Sequence, residues 1–153
     1  MRIELINTGS ELLLGHVLNT HQQWICRELS DLGWKVSRQV TVADTGPEIE
    51  AAVRVGLSRS DLVITTGGLG PTADDITRDR IAALLGCDLC EDASVRDHIT
   101  SSFKRIKRPM PDSVFLQALV PEGAKILQNS HGTAPGLFFE LHSNPFGNGS
   151  TPG

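Results

Sequence analysis

The sequence predicts an α/β protein, a sandwich in which helices cover a largely parallel sheet. Strand-like segments alternate with segments of helical periodicity from residue 2 to residue 85, and most glycines and prolines fall between them. A length of 153 residues corresponds to one domain. We therefore expect a single domain over residues 1–141. Residues 142–153 lack periodicity and predict a loop or linker at a truncated end of the chain.

The first strand and the first helix are indicated by the N-terminal residues. Arg2 to Thr8 predicts a strand. Thr20 and Gln23 have the spacing of a capping box at the start of the following helix, and Gly33 lies just past its end. The apolar residues of this helical face are Leu18, Ile25, Leu29 and Leu32.

Two further strands with a helix between them are predicted next. Residues 34–42 alternate apolar and polar side chains, which suits a strand with one wetter face. Thr45 to Glu48 form another capping box with Pro47 near the first turn, and they begin a helix that continues through Leu57. Asp61 to Thr66 is a short β-branched run, which is typical of a buried parallel strand.

The second half of the chain predicts two helices and two weaker strands. A helix should run from about Ala73 to Leu85, where Gly86 stops it, and a second helix from Ser94 to Lys107. Lys125 to Leu127 and Leu137 to Leu141 predict short strands.

Composition excludes several classes of function. Fourteen Lys and Arg against eighteen Asp and Glu give a net charge of −4, so a surface that neutralises a nucleic-acid backbone is not expected. Apolar runs are far too short to cross a bilayer, and Glu4 interrupts any signal peptide, so we expect no membrane association. Three cysteines cannot form a closed disulfide framework, which favours a cytoplasmic protein with reduced thiols.

The most informative stretch is the glycine-rich loop, residues 65–79, where a strand ends in two threonines and three glycines precede a helix. Glycines at such a junction expose backbone N–H groups, and the helix N-terminus adds partial positive charge. Ligands of open α/β sheets bind at this edge, so the loop predicts an anion site such as a phosphate site. The alternative is a tight turn capped by Thr72 and completed by Asp75.

Two adjacent carboxylates, Asp74 and Asp75, follow the glycines. Placed at a helix start they would gain only about 0.3–1 kcal/mol each from the helix dipole. Beside a phosphate they would repel it, unless a divalent metal ion bridges them or they bind hydroxyl or N–H groups of the ligand. Both interpretations stay open on the residues alone.

A second polar group follows the first strand. Thr8, Gly9, Ser10 and Glu11 stand where that strand ends, and Asp44 follows the second strand. Carboxyl ends of parallel strands share one edge of a sheet, so these side chains are expected on the edge that carries the glycine-rich loop. The turn that contains Thr133 is a candidate wall of the same pocket.

These motifs resemble the N-terminal domain of the competence/damage-inducible protein A (CinA) family, which is related to the molybdopterin-binding domains of MoaB and MogA. The similarity spans about residues 3–141. The segments that carry it are Gly9–Gly15, Thr65–Thr77, Arg108–Pro111, Gln117–Ala118 and Gly132–Gly136.

The resemblance implies a three-layer α/β/α sandwich that binds a phosphorylated nucleotide or pterin, and metal-dependent pyrophosphatase activity on ADP-ribose. The metal would be Mg²⁺ or Co²⁺, and a homo-oligomer is expected. Catalytic candidates are Asp74, Asp75 and Glu11, and metal-ligand candidates are Asp74, Asp75 and Asp44. Candidates for ligand and phosphate binding are Thr8, Gly9, Ser10, Thr66, Gly67, Gly68, Leu69, Gly70, Thr72 and Thr133.

The chain departs from the family pattern at Ser10, where the family usually has Asp, and at Asn19 and His21, where it often has Asp and Asn. The loss of the first Asp removes a possible metal ligand. Two alternatives to hydrolysis therefore remain: a non-catalytic molybdopterin-type binding domain, and a structural or oligomerisation module without ligand.

Overall fold

A computed structural model describes residues 1–147 of the chain, which divides into two compact units. The first unit contains residues 1–68 and the segment that begins at His142, and the second unit contains Leu69–Leu141. Each unit has its own apolar core. The boundary between them falls inside the glycine-rich loop, after Gly68.

The first unit is built on a three-stranded parallel sheet, in which β1 (Ile3–Thr8) lies between β2 (Val36–Val42) and β3 (Leu62–Thr66). The α/β class and the parallel core predicted from the sequence are therefore confirmed. Its elements are β1 (Ile3–Thr8), α1 (Ser10–Leu13), α2 (Thr20–Asp31), β2 (Val36–Val42), α3 (Gly46–Arg59) and β3 (Leu62–Thr66).

The most buried strand is β1, whereas the run from Asp61 to Thr66 forms the predicted parallel strand but is less buried than predicted. Every residue of β1 is buried, whereas the residues of β3 are half-buried. The reason is position: β1 lies between β2 and β3, and α3 packs Ile49 and Val53 against the sheet. A central strand is covered by a neighbouring strand on each side whatever its sequence, so even Glu4 of β1 is buried.

The start of α2 differs from the predicted capping box. Asn19 is the N-cap residue, and its side chain accepts a hydrogen bond from the Gln22 N–H at 2.9 Å. Asn is a strong N-cap residue, so it takes the role that the spacing had given to Thr20. The helix buries no residue completely, and its flanking residues Leu18 and Leu32 are 87% and 72% exposed.

The second unit consists of helices and two small antiparallel sheets, in which β4 (Leu89–Glu91) pairs with β5 (Leu119–Pro121) and β6 (Lys125–Leu127) pairs with β7 (Gly136–Phe138). Its core contains Val95, Ile99, Val114, Ala118 and Val120. Its elements are α4 (Thr77–Leu85), β4 (Leu89–Glu91), α5 (Ala93–Ile106), a 3₁₀ helix (Asp112–Ala118), β5 (Leu119–Pro121), β6 (Lys125–Leu127) and β7 (Gly136–Phe138).

The predicted helix start at Ala73 is wrong, because α4 begins only at Thr77. The chain bends at residues 71–72 and turns at residues 73–74 instead, and the Asp75 N–H donates to the Thr72 carbonyl oxygen at 3.1 Å. The last strand is also shorter than predicted and ends at Phe138.

The segment that follows residue 141 contacts α3. Asn144 donates from its side chain to the Leu57 carbonyl oxygen and accepts from the Phe146 N–H at 3.0 Å. The Phe146 ring lies under the Arg54 guanidinium at 4.6 Å. The described part of this predicted loop or linker has neither helix nor strand, and residues 148–153 lie outside the described residues.

None of the helices within residues 1–147 combines the length and the apolar character that a bilayer crossing requires.

Candidate functional site

The predicted site residues of the first unit meet at the carboxyl edge of its sheet. The strands β1, β2 and β3 end at Thr8, Val42 and Thr66 and run in the same direction. The Gly9 N–H donates to the Val42 carbonyl oxygen at 3.1 Å, and this bond joins the first two strand ends. The expected placement of these loops on one edge is confirmed for the first unit.

Thr8 and Gly67 lie close together at this edge. The Thr8 hydroxyl donates to the Thr66 carbonyl oxygen at 3.1 Å, and the Thr66 hydroxyl donates to Asn7 Oδ1 at 3.1 Å. Gly67 has a φ of 100°, and a Cβ atom there would collide with the carbonyl oxygen and the hydroxyl of Thr8. Both threonine hydroxyls therefore hold the strand ends together, and glycine is required beside them.

Two further polar side chains are joined next to this contact. The Ser10 hydroxyl donates to the Asp44 carboxylate, so the loops after β1 and β2 are linked through their side chains. The carboxylate of the exposed residue Glu11 folds back towards Gly9. The first unit thus gathers Thr8, Gly9, Ser10, Glu11, Asp44, Thr66 and Gly67, with Gly68 following at a φ of 64°.

In the second unit, the Asp75 carboxylate lies where the sequence predicts an anion. It accepts hydrogen bonds from the Thr72 N–H at 3.0 Å and from the Thr72 hydroxyl, and it lies against Gly70. Burial raises the pKa of Asp75, but the hydrogen bonds from Thr72 and from the Gly70 N–H, with the charge of Arg78, outweigh burial and hold this pKa below its usual value.

The alternative interpretation of the loop was a capping box formed by Thr72 and Asp75, and one of the two hydrogen bonds of that box is present. Asp75 reaches back to the Thr72 N–H as a box requires, but no helix follows until Thr77. The carboxylate therefore closes the turn through the N–H and the hydroxyl of Thr72 and lies against Gly70.

Of the remaining candidates of the second unit, Asp74 lies within this turn and Thr133 lies in a separate loop. Asp74 is exposed. Thr133 is half-buried in a loop that two side chains hold: Asn129 donates to the Ala134 carbonyl oxygen at 3.0 Å, and His98 Nε2 lies 3.0 Å from the Gly132 carbonyl oxygen.

Sequence reasoning gave no site role to Gln117, although its side chain binds the glycine-rich loop. Gln117 Nε2 donates to the Leu69 carbonyl oxygen at 3.3 Å. The sequence feature that could have identified Gln117 is its position as the one polar residue between Val114 and Val120, which are otherwise apolar. A polar side chain in such a run is usually buried and usually forms a hydrogen bond.

No three His, Cys, Asp or Glu side chains within residues 1–147 form a group that could hold a metal ion. A resident metal with a full set of protein ligands therefore does not fit these residues. Mg²⁺ commonly takes one or two carboxylates and fills its shell with substrate phosphates and water. The candidates Asp44, Asp74 and Asp75 fit only an ion of that kind.

Comparison with known proteins gives the family. Residues 4–146 match the family described as "Probable molybdopterin binding domain". A CinA-like protein of Akkermansia muciniphila is 46% identical over 137 residues, which is 90% of this chain and 33% of that protein. The chain thus spans about a third of the length of the curated relatives it matches.

Solved structures agree with this assignment. The crystal structure of CinA from Thermoplasma acidophilum superposes with a TM-score of 0.79 and 34% identity, over 92% of this chain and 82% of that one. The molybdopterin biosynthesis enzyme MoaB of Thermus thermophilus gives a TM-score of 0.53 at 20% identity over 78% of each chain, which shows a shared fold. The chain belongs to the molybdopterin-binding domain family and, within it, to the CinA-type proteins.

Proposed function

We propose that the chain binds a phosphorylated nucleotide or pterin at the glycine-rich loop and hydrolyses a pyrophosphate bond, such as that of ADP-ribose, with a divalent metal ion. The observation that carries this proposal is a carboxylate held inside the glycine-rich loop: Asp75 accepts the Thr72 N–H at 3.0 Å and lies against Gly70. Backbone N–H groups that bind one oxyanion are chemically suited to bind another.

Ligand binding at this loop is then an exchange of anions. A phosphate oxygen takes the N–H groups of Gly70 and Thr72, and the Asp75 carboxylate leaves them. The freed carboxylate is available to a ligand hydroxyl group or to a metal ion carried by the phosphates. This exchange resolves the repulsion between carboxylate and phosphate, because the two never hold the same N–H groups at once.

The metal ion, Mg²⁺ or Co²⁺, would polarise the phosphoryl oxygens and supply hydroxide at neutral pH. Asp74 and Asp75 are the proposed carboxylates for it, with Asp44 as a further ligand candidate. Glu11 is the proposed general base, since it is exposed at the carboxyl edge of the sheet. Binding of ligand oxygens is assigned to the N–H groups of the glycine-rich loop and to Ser10 and Thr133.

The test is hydrolysis of ADP-ribose to AMP and ribose 5-phosphate, with Mg²⁺, with Co²⁺ and with a chelator. Asp74→Asn is expected to reduce kcat by about 100-fold or more while the calorimetric affinity for ADP-ribose changes little, because its charge acts as the transition state develops. Asp75→Asn is expected to tighten the binding of inorganic pyrophosphate, because the competing internal anion is removed.

The controls distinguish the alternative functions. Binding of ADP-ribose without turnover under either metal would contradict hydrolysis and support a non-catalytic binding domain, which the family description also favours. Wild-type protein that binds neither ADP-ribose nor pyrophosphate would contradict the whole proposal. If both Asp variants behave like the wild type, the carboxylates serve the turn alone.

We also propose a cytoplasmic location and a homo-oligomer. The three cysteines, Cys26, Cys87 and Cys90, all lie within the described residues and are unpaired there, as reduced thiols would be. Trp24, Leu18 and Leu32 leave large apolar surfaces exposed around α2, which is consistent with self-association.

A further inference from the structure

Gln117 carries a buried acceptor without a partner. The residue is only 5% exposed, and its Oε1 atom forms no hydrogen bond with any part of the chain that the structure describes. Buried side-chain oxygens are nearly always paired, since an unpaired one costs about 1–3 kcal/mol. Gln117 therefore needs an explanation beyond packing.

The orientation of the amide group is fixed by its other contact. Nε2 faces the Leu69 carbonyl oxygen, which can only accept. Rotating the amide by a half turn would place two oxygens against each other. Oε1 is consequently the unpaired atom, and because it shares a carbon with Nε2 it lies next to the start of the glycine-rich loop in the second unit.

The backbone around Gln117 is fastened independently. The buried residue Arg78 in α4 donates from Nη1 to the Leu116 carbonyl oxygen, and its Nε donates to Asp79 Oδ1 at 2.7 Å. The 3₁₀ helix is thus tied to α4 one residue before Gln117. The backbone next to Gln117 is therefore held by Arg78, which forms no hydrogen bond with Gln117 Oε1.

The unpaired Oε1 atom of Gln117 can only accept hydrogen bonds, and this limits the ligand groups that it can bind. A carbonyl oxygen repels phosphate oxygens and requires an N–H or O–H donor. In a nucleotide or pterin such donors belong to the ring or the sugar, not to the phosphates. Nε2 of the same amide binds Leu69, and the segment that Leu69 begins also holds the Asp75 carboxylate through the Thr72 N–H. One movement of this segment would therefore change the surroundings of both groups.

We propose that Gln117 positions the glycine-rich loop through Nε2 and recognises the organic part of the ligand through Oε1, which accepts a hydrogen bond from a ring N–H or a hydroxyl group. This inference rests on the proposed function. It assigns to Gln117 a selectivity for nucleotide or pterin ligands over bare phosphate compounds.

The experiment compares two probes, ADP-ribose and inorganic pyrophosphate, by calorimetry on the full chain. Gln117→Met removes both polar atoms at similar size and is expected to weaken ADP-ribose binding about tenfold or more. Pyrophosphate has no ring or sugar donor, so its binding should weaken by at most about threefold. Gln117→Glu keeps an acceptor but loses the Nε2 donor, so it should weaken the two probes by similar factors.

The matched control is Gln128→Met, at an exposed residue of the same unit, which should bind both probes like the wild type. Amide hydrogen exchange at Gly70 reports loop positioning without any ligand and should be faster in Gln117→Met than in the control. Equal losses for both probes in Gln117→Met would overturn the recognition role, and unchanged exchange would overturn the positioning role. If the wild type binds neither probe, the proposed function itself fails, and recognition by Gln117 fails with it.

Discussion

Replacement of Arg59 by alanine is expected to lower the midpoint of urea unfolding by about 1 M or more at pH 7. The Glu4 carboxylate in the central strand is 1% exposed, and Arg59 binds it with two hydrogen bonds of 2.7 and 2.9 Å. Ser60 supplies a further hydrogen bond at 3.3 Å. Removing the guanidinium leaves a buried charge with a single weak partner, which is among the most damaging changes known in protein cores.

The pH dependence identifies the cause of this loss. The hydrogen bonds and charge of Arg59 lower the pKa of Glu4 although burial raises it, so the folded pKa lies below the ordinary value of 4.5. The pair therefore stabilises the fold above the unfolded pKa, and this contribution is lost as the pH falls through the folded pKa. The difference between wild type and Arg59→Ala should be largest at neutral pH and should shrink in acid.

Arg38→Ala is the control for this experiment, because Arg38 acts on Glu4 only through charge at a distance and is itself exposed. It should shift the midpoint far less than Arg59→Ala does. Equal stability of Arg59→Ala and the wild type at pH 7 would show that the pair contributes nothing.

Gly67→Ala is expected to abolish ligand binding and to destabilise the first unit. The residue has a φ of 100°, which costs an L-residue about 1–2 kcal/mol, and its new methyl group would collide with Thr8. The collision would separate the ends of β1 and β3, where the site residues meet. Calorimetry with ADP-ribose and urea unfolding measure the two effects.

Gly33→Ala is the control that separates the free-energy cost of a positive φ from the effect of a collision with Thr8. Gly33 lies in the same unit at a φ of 81°, and a Cβ atom there would meet nothing within 4 Å. This variant should lose only the stability that a positive φ costs, and it should bind ADP-ribose normally. Gly67→Ala with the same stability and affinity as Gly33→Ala would mean that the close approach to Thr8 has no role in binding.

The parallel core and the edge where the candidate residues of the first unit meet were predictable from the sequence because their signals are local. Strand-like runs and glycines at strand ends are visible within ten residues, and parallel pairing then places Thr8, Ser10 and Asp44 on one edge. The short strands β4 and β5 were missed, since three residues are too few to show a period and their pairing joins distant parts of the chain.

The incorrect predictions in the glycine-rich loop have a different cause: side chains form hydrogen bonds with backbone groups that a helix would otherwise use. Asp75 binds the Thr72 N–H and holds residues 72–75 in a turn, so the helix starts later than its capping signal predicts. Likewise, the burial of Glu4 depends on Arg59, which is 55 positions away. The unpaired oxygen of Gln117 has no signature in the sequence beyond its apolar surroundings.

The contact between α3 and the segment after residue 141 has a consequence for the order in which the parts of the chain fold. The first unit is discontinuous, because the whole of the second unit lies between Gly68 and His142. The bond from Asn144 to Leu57 joins residues 87 positions apart, and closing so long a loop is entropically costly while the intervening chain is extended. The parallel sheet and the second unit can each form from continuous chain, so their nearer contacts form first. We therefore expect the segment that holds Asn144 and Phe146 to dock last, after the parallel sheet and the second unit have formed.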